Sequence, residues 1–169
     1  EIGEILVRGR HISPFYYRDE ESTLKNKIAD SSGDSWHRFG DTGYIDREGR
    51  LWVCGRAGHR VITAEGPVFP WTCEAIFDTH PKVRRSGLVG VPGKEGQVPV
   101  ICIELKPGHR STDKSALCAE LLALAAEHDA TRCIKHVLFK RSLPVDPRHN
   151  SKIERPLLAR WAAGKLKNR

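Results

Sequence analysis

Methionine is absent from this 169-residue chain, and aromatic residues make up only 7% of it. With no methionine, and an opening "EIGEILVRG" that runs directly into strand-like alternation, the expectation is a fragment of a longer protein. No apolar run approaches the ~20 residues needed to cross a bilayer. The longest, "LCAELLALAA", is short and interrupted by Glu120. A secretory leader pattern is also lacking, so the expectation is a cytoplasmic protein without a membrane span. The five cysteines (Cys54, Cys73, Cys102, Cys118 and Cys133) are odd in number and widely spaced, with no Cys-x-x-Cys among them. That pattern excludes a disulfide framework and the common zinc motifs, and it fits reduced residues packed among apolar neighbours. The eight histidines contain neither an i, i+4 pair nor a His-Glu-x-x-His stretch, so no metal ligand set is expected within this chain.

Charge is present in excess of one sign and in one place. The formal net charge is +7, yet residues 135–169 alone carry ten Lys or Arg against Asp146 and Glu154, so the rest of the chain is close to neutral. A basic end of this kind implies an anionic partner: a nucleotide phosphate, a nucleic acid or an acidic surface. Nucleic-acid binding calls in addition for aromatic stacking platforms. Only Phe139 and Trp161 are available there, and both read as core residues.

Along the chain, "GEILVRG" alternates as a half-buried strand does. "SPFYYRDEEST" reads as an aromatic and then acidic loop. "WHRFGDTGYIDREGRLWVCGR" reads as two or three short strands, with "DREG" as a hairpin turn whose Gly49 is available for positive φ. Residues 1–55 are thus expected to be all-β and too small to enclose a core. From Arg56 the pattern changes. "RVIT" is a short strand, "PWTCEAIFDTHP" a helix with Pro70 in its first turn, and "SGLVGVPG" and "VPVICIEL" are buried strands. "TDKSALCAELLALAAEHD" sets Leu117, Leu121, Leu124 and Ala125 on one helical face. "KHVLFK" is a last strand and "RPLLARWAAGKL" a last helix. The expectation for 56–169 is an α+β module with a small mixed sheet and packed helices, joined to 1–55 near Gly55–Gly58.

Four of these stretches, in this order, resemble the acyl-adenylate-forming superfamily, which includes acyl-CoA synthetases, peptide-synthetase adenylation domains and luciferases. "WHRFGDTGYIDREGRLWVCGR" is similar to its Trp-x-Arg-Thr-Gly-Asp…Gly-Arg region, and "SPFYYRDEEST" to the segment before it. "HPKVRRSGLVGVPGKEGQVPVICIELKPG" resembles the His-Pro-x-Val…Val-Gly-x-Pro stretch of the C-terminal lid. "PVDPRHNSKIERPLL" takes the place of the closing Ser-Gly-Lys-Ile-x-Arg. The resemblance implies that residues 1–55 end the β-subdomain of a large N-terminal adenylation domain and that 56–169 form the whole lid.

It also implies roles. Asp41 matches the aspartate that holds the ribose hydroxyls of ATP, where a carboxylate accepts two hydrogen bonds from vicinal hydroxyls. Arg56 matches an arginine that reaches the same ribose with its fixed fork of donors. Gly58 stands at the lid hinge, and glycine absorbs a φ/ψ change without strain. Lys152 matches the lid lysine that bridges the substrate carboxylate and the α-phosphate while acyl-adenylate forms. Gly66, His149 and Asn150 are supporting positions. ATP with Mg²⁺ is implied, the Mg²⁺ ligands lying in the missing N-terminal part, and use of coenzyme A stays open. The chain departs from the family pattern in Phe39, in Pro67 and Val68 after Gly66, and in "HNSK". "HRVITAEGPVFP" and "PVDPRHNSKI" look most like the olefin β-lactone synthetase branch, which implies a fatty or β-hydroxy fatty acid substrate. The alternatives are a fatty acyl-CoA ligase, a non-catalytic basic module for nucleic acid or acidic surfaces, and a degenerate lid. The chain lacks the phosphate loop, the adenine pocket and the acyl pocket, so alone it is expected to be inactive.

Overall fold

The computed structural model describes residues 1–31, 33–148 and 152–167. They divide into two compact units, Glu1–Gly58 and His59–Arg169.

The first unit is a small antiparallel sheet. Strand β1 (Gly3–Val7) is followed by helix α1 (Glu20–Asn26), then β2 (Lys27–Ala29), β3 (Ser35–Ile45) and β4 (Leu51–Arg56). The long β3 organises the rest: β1 pairs along one edge, while β2 and β4 share the other, β2 on the first half of β3 and β4 on the second. The β3–β4 turn is closed by Asp46, whose carboxylate accepts from the Glu48 and Arg50 backbone N–H groups and from Trp52 Nε1. Gly49 sits there at φ +79°.

The stretch from Trp36 to Arg56 forms two strands, within the expected two or three. Residues 1–55 are not all-β as expected: Asp19 caps α1 by accepting from Ser22 N–H at 2.9 Å, and Glu20 and Glu21 favour the positive end of the helix dipole. No residue of α1 is buried, so it leaves no apolar periodicity to read.

The first unit encloses almost nothing. Of its large apolar side chains, Tyr17 is 79% and Ile45 70% exposed, and Phe15, Leu24, Leu51 and Trp52 are open as well.

The second unit holds the core. A turn of 3₁₀ helix (Ala57–His59) leads to the hairpin β5 (Val61–Thr63) and β6 (Gly66–Val68). Then come α2 (Pro70–Phe77), β7 (Val83–Pro92), β8 (Gln97–Leu105), α3 (Lys114–Ala126), β9 (His136–Phe139) and α4 (Arg155–Lys167). The main sheet has the order β7-β8-β9, with β7 and β8 antiparallel and β9 parallel to β8 after the α3 crossover. Alternation along β8 sends Ile101 and Ile103 to one apolar cluster with Phe77, Leu117 and Leu121. The same alternation sends Val100 and Cys102 to a second cluster with Leu158 and Ala162 of α4. Each such side chain, fully buried, contributes about 1.5–3 kcal/mol. The fold of this unit is the expected α+β arrangement of a small mixed sheet covered by helices.

All five cysteines are free, and burial pushes the thiols of Cys73 and Cys102 up to about 12. Phe139 and Trp161 are half-buried, each packed against one of the two apolar clusters. No helix among the described residues is long and apolar enough to cross a membrane.

Candidate functional site

In the first unit the strand register sets Asp41 of β3 directly opposite Arg56 of β4. Arg56 Nε lies 3.3 Å from Asp41 Oδ1, with the side chains 50% and 29% exposed. Arg56 Nη1 also donates to the Phe39 carbonyl. An ion pair this open contributes only about 0–1 kcal/mol to stability, so a ligand can part it at little cost. The pair therefore offers a carboxylate acceptor and a guanidinium fork side by side on an accessible edge.

Its position is fixed by neighbours that are not accessible. Thr42 Oγ1 donates to the Gly55 carbonyl at 2.8 Å in a buried contact, and a bulge follows between Thr42 and Gly43. Gly40 takes φ +73°, and a Cβ on Gly43 would stand 2.4 Å from the Trp52 carbonyl oxygen. The two glycines bracketing Asp41 are thus demanded by backbone geometry. The unit boundary leaves Arg56 and Gly58 with this sheet. Gly58 itself lies in the 3₁₀ turn, exposed and outside the left-handed region, with nothing within 4 Å of a Cβ placed on it.

In the second unit Lys152 lies at the far side of a short loop closed by backbone pairing. Val145 and Ile153 form an antiparallel bridge; Asp146 N–H donates to the Lys152 carbonyl at 2.8 Å, and Glu154 N–H to the Pro144 carbonyl at 2.9 Å. Arg148 closes the turn on Asp146, its N–H at 2.9 Å and its Nη2 at 2.8 Å from the carboxylate. Those bonds, with the nearby positive charge of Lys152, hold the Asp146 carboxyl below its ordinary range. The Lys152 side chain is exposed and enters no hydrogen bond or ion pair among the described residues. His149 and Asn150 lie outside the described residues.

Both ends of this loop are pinned by buried carboxylates. At the start, Glu104 of β8, 2% exposed, accepts from Leu143 N–H at 2.9 Å while Arg84 neutralises it at 2.8 Å. At the end, Arg155 donates Nη1 and Nη2 to the two oxygens of Glu74 at 2.6 and 3.0 Å, and Nη1 also reaches the Leu88 carbonyl at 2.8 Å. Glu74 accepts in turn from Leu88 N–H at 2.7 Å. Burial pushes the Glu74 carboxyl up, and the Arg155 fork and the Leu88 N–H oppose that shift. Between the pins, a Cβ on Gly87 of β7 would meet Leu158, Ile153 and Leu143 within 3.4 Å. The bare backbone at Gly87 is what lets the loop and α4 seat flat on the sheet.

Arg155 belongs by sequence to the basic segment 135–169, whose charge implies an anionic partner. It is instead a buried structural cation, and Glu74 and Glu104 went unnoticed. A signal existed: each is a lone carboxylate inside an apolar segment, which burial tolerates only with a partner.

Gly66 opens β6 at φ +126°, and its carbonyl accepts from Thr63 Oγ1 at 2.8 Å. Pro67 and Val68, with no basic residue, complete that strand. Among the described residues, no group of three or more His, Cys, Asp or Glu is placed to hold a metal ion.

Residues 72–148 match the family described as the AMP-binding enzyme C-terminal domain. An olefin beta-lactone synthetase of Xanthomonas campestris pv. campestris is 44% identical over 96% of this chain, which spans 30% of that protein's length. Among solved structures, the amide bond synthetase McbA from Marinactinospora thermotolerans superposes with a TM-score of 0.78 at 29% identity, over 96% of this chain and 31% of that one. The anthranilate CoA ligase AuaEII, solved in complex with anthranoyl-AMP, gives a TM-score of 0.79 at 25% identity over 96% of this chain and 30% of its own. The chain thus spans about a third of the length of the relatives it matches.

Proposed function

As this chain belongs to the acyl-adenylate-forming superfamily and matches its C-terminal domain, we propose that the whole protein activates a fatty or β-hydroxy fatty acid with ATP. In that step the carboxylate oxygen attacks the α-phosphorus, an acyl–O–P bond forms, and pyrophosphate leaves. The residues up to the Gly58 hinge then end the large adenylation domain, and the residues beyond it form its lid. The observation that carries this reading is the Lys152 loop: a solvent-facing ammonium, unpaired among the described residues, on a loop pinned at both ends. An ammonium held so offsets the charge that builds on phosphoryl oxygens during transfer. Pre-set geometry makes it worth more than a mobile surface lysine.

Asp41 and Arg56 bind the ribose of ATP, the carboxylate accepting from the hydroxyls and the guanidinium donating. Mg²⁺, when bound, neutralises charge on the phosphate oxygens; its ligands belong to the rest of the protein. Gly58 is the hinge about which the lid turns after adenylation, carrying Lys152 away. Its freedom from local contacts supports this, because nothing in the present conformation requires a glycine there.

The second half-reaction we assign is lactone closure. The β-hydroxyl oxygen attacks the acyl carbon and a four-membered ring forms; the bond from the acyl carbon to the bridging oxygen breaks, AMP leaves with that oxygen, and the hydroxyl proton is lost. An intramolecular nucleophile gains from proximity. Similarity to the olefin beta-lactone synthetase and the lack of a basic residue after Gly66 both favour this over coenzyme A as acceptor.

Asp41→Ala in the full-length enzyme is expected to weaken ATP binding by about 1.5–3 kcal/mol, the range for a hydrogen bond to a charged group. An unchanged KM for ATP removes Asp41 from the site. Arg56→Ala acts on the same ribose and on Asp41 itself, so the double variant should lose less than the two single losses together.

A further inference from the structure

The sheet of the second unit ends at β9, and nothing among the described residues pairs with its outer edge. Lys140 N–H donates to the Ile103 carbonyl, and in a parallel ladder alternate residues face the same neighbour. The N–H and C=O groups of Val137 and Phe139 therefore point away from β8. They open into a trough of about 620 Å³, walled by Lys114 and Cys118 of α3 on one side and by Trp161 and Lys165 of α4 on the other. A recess of 210 Å³ shares Lys114 and Phe139 with it and adds Arg110, Lys140 and Arg141. The trough is thus the open side of a helix–sheet–helix sandwich. Its floor is a strand edge, its walls are apolar near the floor, and its rim is cationic. No carboxylate is among the described residues that line either part.

We propose that this trough binds an extended acidic segment of a partner protein, which pairs with β9 as a fourth strand. The unsatisfied strand edge calls for backbone N–H and C=O groups at strand spacing, which an extended peptide supplies. Half-buried Cys118, Phe139 and Trp161 accept apolar side chains, and the five rim cations accept carboxylates. A second copy of this chain is disfavoured, since its own edge would bring a second all-cationic rim against the first. Nucleic acid is disfavoured as well. Lys140 Nζ stands 4.8 Å from the centre of the Trp161 ring, covering the face on which a base would stack, and a nucleic acid leaves the strand edge unpaired. The trough shares no residue with the Asp41–Arg56 pair or the Lys152 loop, so the proposal does not depend on the adenylation reading.

The test uses the full-length protein and a fluorescent peptide of about eight residues alternating valine with glutamate, long enough to pair with a strand of ordinary length. A second peptide of the same sequence carries N-methyl groups on alternate residues, which removes the edge-facing donors and keeps the charge. Binding of the first is expected, weakened at least about tenfold by N-methylation, and weakened to a similar degree by Lys114→Glu with Lys165→Glu. Both lysines are exposed, so the double variant keeps its fold, and its pyrophosphate-exchange activity should be unchanged. Alkylation of Cys118 should slow with peptide bound while Cys133, outside the trough, keeps its rate. Equal binding of the two peptides overturns strand pairing, and undiminished binding by the double variant overturns the site. Tighter binding of a single-stranded oligonucleotide of equal charge assigns the surface to nucleic acid instead. No binding of the first peptide overturns the proposal outright.

Discussion

Lys152→Ala in the full-length enzyme is expected to lower acyl-adenylate formation by at least about 10²-fold, the scale on which one positioned electrostatic stabiliser acts. Affinity for ATP should change little, because the ammonium matters most when charge develops on the phosphoryl oxygens. Consumption of preformed acyl-adenylate should be almost unaffected if the lid has turned by then. The measurements are pyrophosphate exchange for the first half-reaction and single-turnover decay of the adenylate for the second. Equal losses in both would make Lys152 a structural residue, and no loss in either would make it an ordinary surface cation. Arg148→Ala is the charge control. Its guanidinium is spent on Asp146, so it should cost adenylation much less than the loss of Lys152.

Arg155→Ala is expected to act through a different quantity. Removing it strands the Glu74 carboxylate in the core, and breaking a buried pair in this way costs about 3–5 kcal/mol. Denaturant unfolding should show a midpoint shift with an unchanged slope. Replacing both partners, Glu74→Leu with Arg155→Met, should recover most of that loss, since apolar groups of similar volume often substitute for a buried pair. The double variant then separates stability from positioning. If the pair only holds the fold, adenylation returns with stability; if it also aims the loop, adenylation stays low in a protein that is folded. Failure of Arg155→Ala to destabilise would mean that the pair contributes little.

Much of the second unit was legible because its elements are periodic and punctuated. Strands β7 and β8 are apolar runs around a glycine-containing turn, α3 repeats Leu117, Leu121 and Ala125 at helical spacing, and α4 starts beside Pro156. The first unit was harder. Gly40 and Gly43 carry no sequence signal of their separate tasks: one sets a positive φ within a continuous strand and the other admits the Trp52 carbonyl. In the absence of a buried face, α1 was marked only by its cap.

The candidate site divides in the same way. Asp41 and Arg56 were identified by resemblance to a family, and the register later set them opposite each other. The Glu74–Arg155 pair spans 81 positions of sequence; a lone buried acid announces that a partner exists, but local pattern does not say which of many arginines it is. That information is tertiary.

The unequal distribution of buried side chains has a kinetic counterpart. Both apolar clusters lie in the second unit, so amides of the β7–β8 ladder should exchange with solvent deuterium only through global opening. Amides of β1 to β4 lie in a unit whose Phe, Tyr, Leu and Trp side chains are exposed and should exchange through smaller, independent openings. Hydrogen exchange on this chain would then show two tiers, with the amide of Thr42 among the slowest in the lower one because that residue is buried. In the presence of whatever surface covers those aromatics, the lower tier should rise toward the upper. The size of that rise is a direct reading of how much of the sheet's protection is borrowed.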